Sequence, residues 1–134
     1  MGSSNLIGPF HLRSPVLLAS ELRLMAVLAH PDDESLGTGG ALAKYAAEGV
    51  ATYLVTATRG ERGRFGDSKI SPGPEIVGKT REAELLSAAA ELGHREVKFL
   101  NYLDGALDKV YNAKKKKKIG GHLRRVRPHV VMTF

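Results

Sequence analysis

The sequence contains no cysteine. That absence removes disulfides and thiolate metal ligands together, so any metal must be held by histidine and carboxylate. It is compatible with a reducing compartment, and a cytoplasmic location is expected. Also missing is any apolar run near the roughly 20 residues that span a bilayer. The opening Met1-Gly2-Ser3-Ser4 has no charged segment followed by a long apolar one, so neither a membrane span nor a secretion signal is expected. Excess positive charge is scarcer than the net +6 suggests: five of those charges are the consecutive lysines Lys114 to Lys118, and without them the balance falls to +1. No basic stripe interleaved with aromatics remains, so no nucleic-acid partner is expected. The lysine run itself reads as a solvated face or a mobile loop.

What is present suits one domain with a single core. The length of 134 residues is too short for two ordinary domains, and 43% hydrophobic with 25% charged residues is a globular composition. Residues 1–21 read as an N-terminal extension and residues 22–134 as the domain. From Leu22 to Ala29 the run Leu-Arg-Leu-Met-Ala-Val-Leu-Ala fits a strand covered on both faces. Gly39 to Glu48 fits a short helix stopped by Gly49, and Val50 to Ala57, rich in Val, Thr and Tyr, fits a second strand. From there to Gly78 glycines and prolines break every regular pattern, which predicts a long functional loop. Thr80 is the expected cap of a second helix, with Leu85, Leu86, Ala89 and Leu92 as its buried stripe and Gly93 as its end. Val97 to Leu100 is a third strand, a third helix lies between Lys114 and Arg125, and Val130 to Phe134 begins a fourth strand.

The order β-α-β-α-β-α-β predicts an α/β fold, a mainly parallel sheet with helices on its faces. Ligands in such sheets bind beyond the carboxyl ends of the strands. His30 to Glu34, Arg59 with Glu61, and Asp104 all follow strands directly, so one crevice is expected to gather them.

The run His30-Pro31-Asp32-Asp33-Glu34 carries the chemistry. His30 and Asp33 stand three positions apart in a tight turn, able to face one ion, and a catalytic zinc takes three protein ligands and leaves one position for water. Asp32 lies between them, free to act as general base for a water that attacks a carbonyl. A helix opening here would favour carboxylates through its free N–H groups and dipole. The plainer alternative is a strand-to-helix turn in which Asp and Ser only cap the helix.

Ala29-His30-Pro31-Asp32-Asp33-Glu34 resembles the signature of the LmbE-like, or PIG-L, family of de-N-acetylases. Gly39-Gly40, Thr58-Arg59-Gly60-Glu61, Arg81-Glu82-Ala83-Glu84-Leu85, Tyr102-Leu103-Asp104-Gly105 and Arg127-Pro128-His129-Val130-Val131 are similar to further family landmarks, in family order. The resemblance implies a Rossmann-like, three-layer α/β/α fold, here expected to stop after about four strands. It also implies zinc-dependent removal of acetyl from an N-acetylglucosamine-type conjugate, a small-molecule acetylamino sugar. By matching position His30 and Asp33 are implied zinc ligands, Asp32 the base, and Arg81 and Asp104 substrate contacts. An exposed helix charge at Arg81 and a simple turn at Asp104 are the plainer alternatives.

Relatives take their third zinc ligand from a histidine segment that corresponds to positions beyond Phe134, so one zinc per full-length chain is expected and weak or no activity from these residues alone. His129, at the start of strand four, belongs at the opposite end of the sheet; His122, His94 and His11 are placed no better.

Two rivals stand beside the enzyme. Gly37-Thr38-Gly39-Gly40 after a strand suggests a dinucleotide fingerprint, but Leu42 stands where Gly or Ala is needed, and Thr58-Arg59 where an acid is. The other rival is a non-catalytic fragment acting by association, since uncovered apolar surface at the last strand predicts a homo-oligomer.

Overall fold

The computed structural model describes residues 21–134, so the expected extension, apart from Glu21, and His11 with it, lie outside the described residues. Four strands, β1 (Arg23–Leu28), β2 (Ala51–Thr56), β3 (Glu96–Phe99) and β4 (Val130–Met132), form one sheet in the order β3-β2-β1-β4, every pairing parallel. Three helices connect them: α1 (Thr38–Ala47), α2 (Pro74–Glu91) and α3 (Asn112–Val126). The alternation is the one the sequence predicts.

Layering follows from the strand sequences. Leu24, Ala26 and Leu28 of β1 join Leu42 of α1, Leu54 of β2 and Leu85 of α2 in a buried cluster. Met25 and Val55 join Leu100, Tyr102 and Val126 on the other face, with Ile119 and Leu123 of α3 packed against them. Burying both faces of β1 is what its continuous apolar run requires. Each fully buried Leu, Ile or Val contributes about 1.5–3 kcal/mol, so α1, α2 and α3 are held by aliphatic contacts to the sheet more than by their own propensity. The result is a Rossmann-like, three-layer α/β/α arrangement. Because β2 and β4 flank β1, the strand order reverses there, which puts the crevice at its carboxyl end.

Three expectations are corrected. Helix α2 begins at Pro74, six residues before Thr80. Proline suits the first helical position because its missing N–H has no partner there, and Glu75 follows in the first turn. Gly78, expected to break the chain, lies inside the helix, where a Cβ would come 3.0 Å from Cγ of Glu61. Its absence lets the loop after β2 pack on α2. Leu86 is exposed; the buried stripe runs through Val77, Gly78, Leu85 and Ala89. Of the two readings of the lysine run, the solvated face holds and the loop does not. The run lies within α3, where Lys115 donates to Leu107 O (2.9 Å), Lys118 donates to Leu100 O (2.7 Å) and covers the Tyr102 ring, and Lys114, Lys116 and Lys117 face solvent.

Candidate active site

The nine residues joining β1 to α1 hold the motif. After Leu28 the chain turns at His30 and enters a π-helical turn, Asp33–Gly37, that runs into α1. Asp32, just before it, has φ +83°, a left-handed conformation that costs a residue with a Cβ about 1–3 kcal/mol. Its carbonyl accepts from Leu36 N–H (2.9 Å) and Ser35 Oγ (3.3 Å). Its carboxylate makes no cap hydrogen bond. Asp33 instead turns back and accepts the backbone N–H of His30 (2.9 Å). Neither aspartate is therefore spent on capping a helix, which removes the plainer account of the run. Glu34, the motif's last residue, is 1% exposed, and its Oε2 has no hydrogen-bond partner among the described residues. A buried acceptor without a donor costs about 1–3 kcal/mol, so the motif gives up stability at two positions.

The ends of β2 and β3 complete the crevice. Buried Thr58 stitches β2 to β1, its N–H and hydroxyl both donating to Ala29 O (3.0 and 3.1 Å), and its Oγ accepts Gly60 N–H (3.1 Å). Asp104, buried in the turn after β3, accepts Arg62 N–H through Oδ2 (3.0 Å) and sets Oδ1 3.1 Å from His30 Nε2. Glu61 accepts the N–H of Asp104 (3.3 Å). His30 thus sits between two carboxylates, Asp104 on one side and Asp33, 3.8 Å from its Nδ1, on the other. Arg81 reaches over from α2 and donates through Nη2 to Pro31 O (3.0 Å) and to Asp32 Oδ2 (2.7 Å).

The crevice so formed is open, about 510 Å³, lined by His30, Pro31, Asp32, Asp33, Gly60, Arg62, Gly63, Arg81 and Asp104. All five residues singled out from the sequence line it. Arg59 does not: it pairs with Glu82 and with Asn101 Oδ1, lies over the Phe99 ring, and so faces the opposite side of the loop. Glu61 acts from behind, through Asp104. Gly60, Arg62 and Gly63 line it as well without having been expected there, and the repeated glycine after the strand was the signal available. The remaining described histidines are elsewhere. His129 bonds Arg23 at the amino end of the sheet, His94 contacts Thr52 Oγ1 (3.1 Å) there, and His122 lies on α3.

The donor set bears on metal binding. His30 and Asp33 offer an imidazole nitrogen and a carboxylate oxygen on one turn, the kinds of donor zinc accepts. Among the described residues no group of three His, Asp or Glu converges on one point. The pair fits two positions of a zinc shell. The dinucleotide alternative fits worse: the turn carries no tight glycine bend, and Leu42 is wholly buried in the core at the position needing Gly or Ala.

A family model described as GlcNAc-PI de-N-acetylase, PIG-L, matches residues 25–134, from the middle of β1 to Phe134. The chain belongs to the PIG-L family. Within it, the chain is 34% identical over 140 residues to 1D-myo-inositol 2-acetamido-2-deoxy-alpha-D-glucopyranoside deacetylase 3 of Catenulispora acidiphila, covering 87% of this chain and 39% of that one. N,N'-diacetylchitobiose deacetylase from Pyrococcus horikoshii superposes with a TM-score of 0.75 at 28% identity, covering 91% of this chain and 43% of that one. A 4-carboxy-2-hydroxymuconate hydratase from Pseudomonas putida superposes with 0.69, also at 28%, covering 82% and 45%. The chain spans less than half the length of these relatives. The chains that superpose on this one thus include both a deacetylase and a hydratase, and the reaction has to be argued from the site. Among the described residues no helix is long and apolar enough to cross a membrane.

Proposed function

We propose that this chain supplies the metal-binding turn and general base of a zinc-dependent N-deacetylase acting on an N-acetylglucosamine-type conjugate. The observation that carries the reading is Asp32, whose carboxylate lines the open crevice from a left-handed turn and caps nothing, between the donor pair His30 and Asp33. In this reading His30 and Asp33 hold zinc, with a third ligand outside the pair. Bound there, the metal would polarise the amide carbonyl and lower the pKa of water. Asp32 takes the proton from the attacking water and passes it towards the departing amine. Asp104 keeps the His30 ring oriented, as carboxylate partners of ligating histidines do, and meets sugar hydroxyls with its exposed edge. Arg81 brings its guanidinium to the substrate side of Asp32. The family relatives, named as deacetylases of acetamido sugars, support this chemistry over hydration.

Metal content and acetate release test it together, with an N-acetylglucosamine conjugate as substrate. We expect about one zinc per chain in the full-length protein. Asp32→Ala should keep the metal and lose at least about 10²-fold in turnover, the usual scale for a general base. His30→Ala should lose the metal. Metal retained by His30→Ala, or full turnover in Asp32→Ala, overturns the assignments, and turnover without acetate release favours a hydratase.

One observation favours association as a second property. Among the described residues β4 pairs with β1 alone, and its own Val130 and Val131, with Phe134 just after them, are exposed, Val130 by 55%. An apolar sheet edge of this kind recruits a further chain. Light scattering on the 134-residue chain should show oligomers; a monodisperse monomer contradicts it.

A further inference from the structure

Asp32 and its neighbour Arg81 are unequally free. The Arg81 side chain is 19% exposed and that of Asp32 58%, so a half-free carboxylate meets a guanidinium with little room to move. The confinement comes from two glycines. A Cβ on Gly60 would lie 2.8 Å from Arg81 Nε, and a Cβ on Gly63 would overlap Nη1 while approaching Gly60 O to 3.1 Å. Gly63 N–H donates to Gly60 O (2.9 Å), which closes the turn around the guanidinium. Arg81 Nε is buried there with no hydrogen-bond partner among the described residues, and it is the glycine packing that holds that end of the group. The other end is used twice: Nη2 donates to the carbonyl of Pro31 and to the carboxylate of Asp32, the carbonyl just before the left-handed residue and that residue's own side chain.

We propose that Arg81 is a positioning residue for Asp32, with Gly60 and Gly63 forming the seat that fixes its guanidinium. The inference rests on the reading of Asp32 as general base and deepens it, giving Arg81 a task beyond contact with substrate. A backbone held at φ +83° by a residue with a Cβ relaxes unless neighbours restrain it. Nη2 spans the two groups whose relative placement that angle sets, so releasing it lets the carboxylate leave the crevice side of the turn. A lysine at position 81 has no planar fork and no mass to fill the seat. The guanidinium shape is required as well as the charge.

Two measurements test it. In ¹⁵N spectra of the 134-residue chain, Arg81 should show slowed rotation about Cζ–Nε and separate Nη signals, lost in Gly63→Ala and in Asp32→Ala. In the enzyme, Arg81→Lys and Gly63→Ala should lower kcat about 10–10²-fold, the scale of an ångström's misplacement, with KM changed less than about threefold. Guanidinium added to Arg81→Ala should restore part of kcat; if that variant fails to fold, Arg81→Lys carries the comparison. Averaged Arg81 signals in the unaltered chain, or a raised KM with kcat intact, overturn the proposal. Full turnover in Asp32→Ala overturns the base assignment instead, while the rotation signal still reports the seat.

Discussion

At the amino end of the sheet, arginine meets carboxylate side chain to side chain: Arg95 with Glu21, Arg125 with Glu96, all on an accessible rim. At the carboxyl end the carboxylates of Asp33 and Asp104 are held by backbone N–H groups, those of His30 and Arg62, and the imidazole of His30 is left between them facing a crevice. The residue types are the same. The difference is who satisfies them. A rim pair neutralises itself and leaves nothing to act, whereas a carboxylate fixed by main chain keeps an oxygen for another partner. Positive φ at a residue with a Cβ occurs at both ends, at Arg127 where α3 turns into β4 and at Asp32 and Asn101 beyond the strands, but of these only Asp32 lines the crevice, where such strain serves function.

The strongest way to break this contrast is Asp104→Ala. It removes the acceptor of Arg62 N–H and the partner of His30 Nε2 together. We expect turnover or zinc affinity to fall about 10–10²-fold, as for other partners of metal-binding histidines, with stability lowered by about 1–3 kcal/mol for the donor left unpaired. Asp104→Asn should restore most of the stability and little of the activity. Steady-state kinetics and denaturant melts read the two separately. Equal losses in both variants would mean that Asp104 acts only as a strut.

How far the sequence foretold each end differs too. β1 was legible because burial on both faces demands an unbroken apolar run, and Gly49 and Gly93 were legible because a positive φ after a helix favours glycine. The start of α2 was missed because Pro72, Gly73, Pro74 and Gly78 look alike as breakers, although Pro74 opens the helix and Gly78 only makes room for Glu61. Arg59 was expected in the crevice, and Glu82 with Asn101 turns it away, a choice set by residues far along the chain. His30, Asp32 and Asp33 were legible as local chemistry; Arg81 and Asp104 came from the resemblance. Gly60 was legible only as part of a landmark and Gly63 only as a further glycine after the strand, because what both do lies in Arg81, which reaches them from another element.

A smaller effect should come from the amino end, through pH. Burial holds the pKa of His94, at the start of β3, below its usual 6.5, and His122 is lowered by burial and by Arg125. The unfolded chain then binds protons that the folded chain resists, so stability rises with pH. Their contribution is complete above about pH 6.5 and is lost as pH falls from there towards the folded values. Urea midpoints should therefore drop between about pH 7.5 and 5.5, less steeply in a His94→Gln, His122→Gln double variant. An unchanged slope would place the acid sensitivity at the carboxyl end instead.

The smallest effect sharpens the contrast most. Arg125 donates to both oxygens of Glu96, yet both side chains remain substantially exposed, and pairs of that kind contribute at most about 1 kcal/mol. Glu96→Gln should shift the unfolding midpoint by no more than that, leave kcat and KM unchanged, and lose its effect in high salt, where exposed charges are screened. The Arg81 and Asp32 pair looks similar on paper, with one arginine, one carboxylate and a 2.7 Å contact. Its guanidinium is confined by two glycines and its carboxylate hangs from a strained residue, so salt should scarcely alter the consequence of removing it. If Glu96→Gln and Arg81→Lys respond to salt alike, the two ends of the sheet differ in position and not in physics.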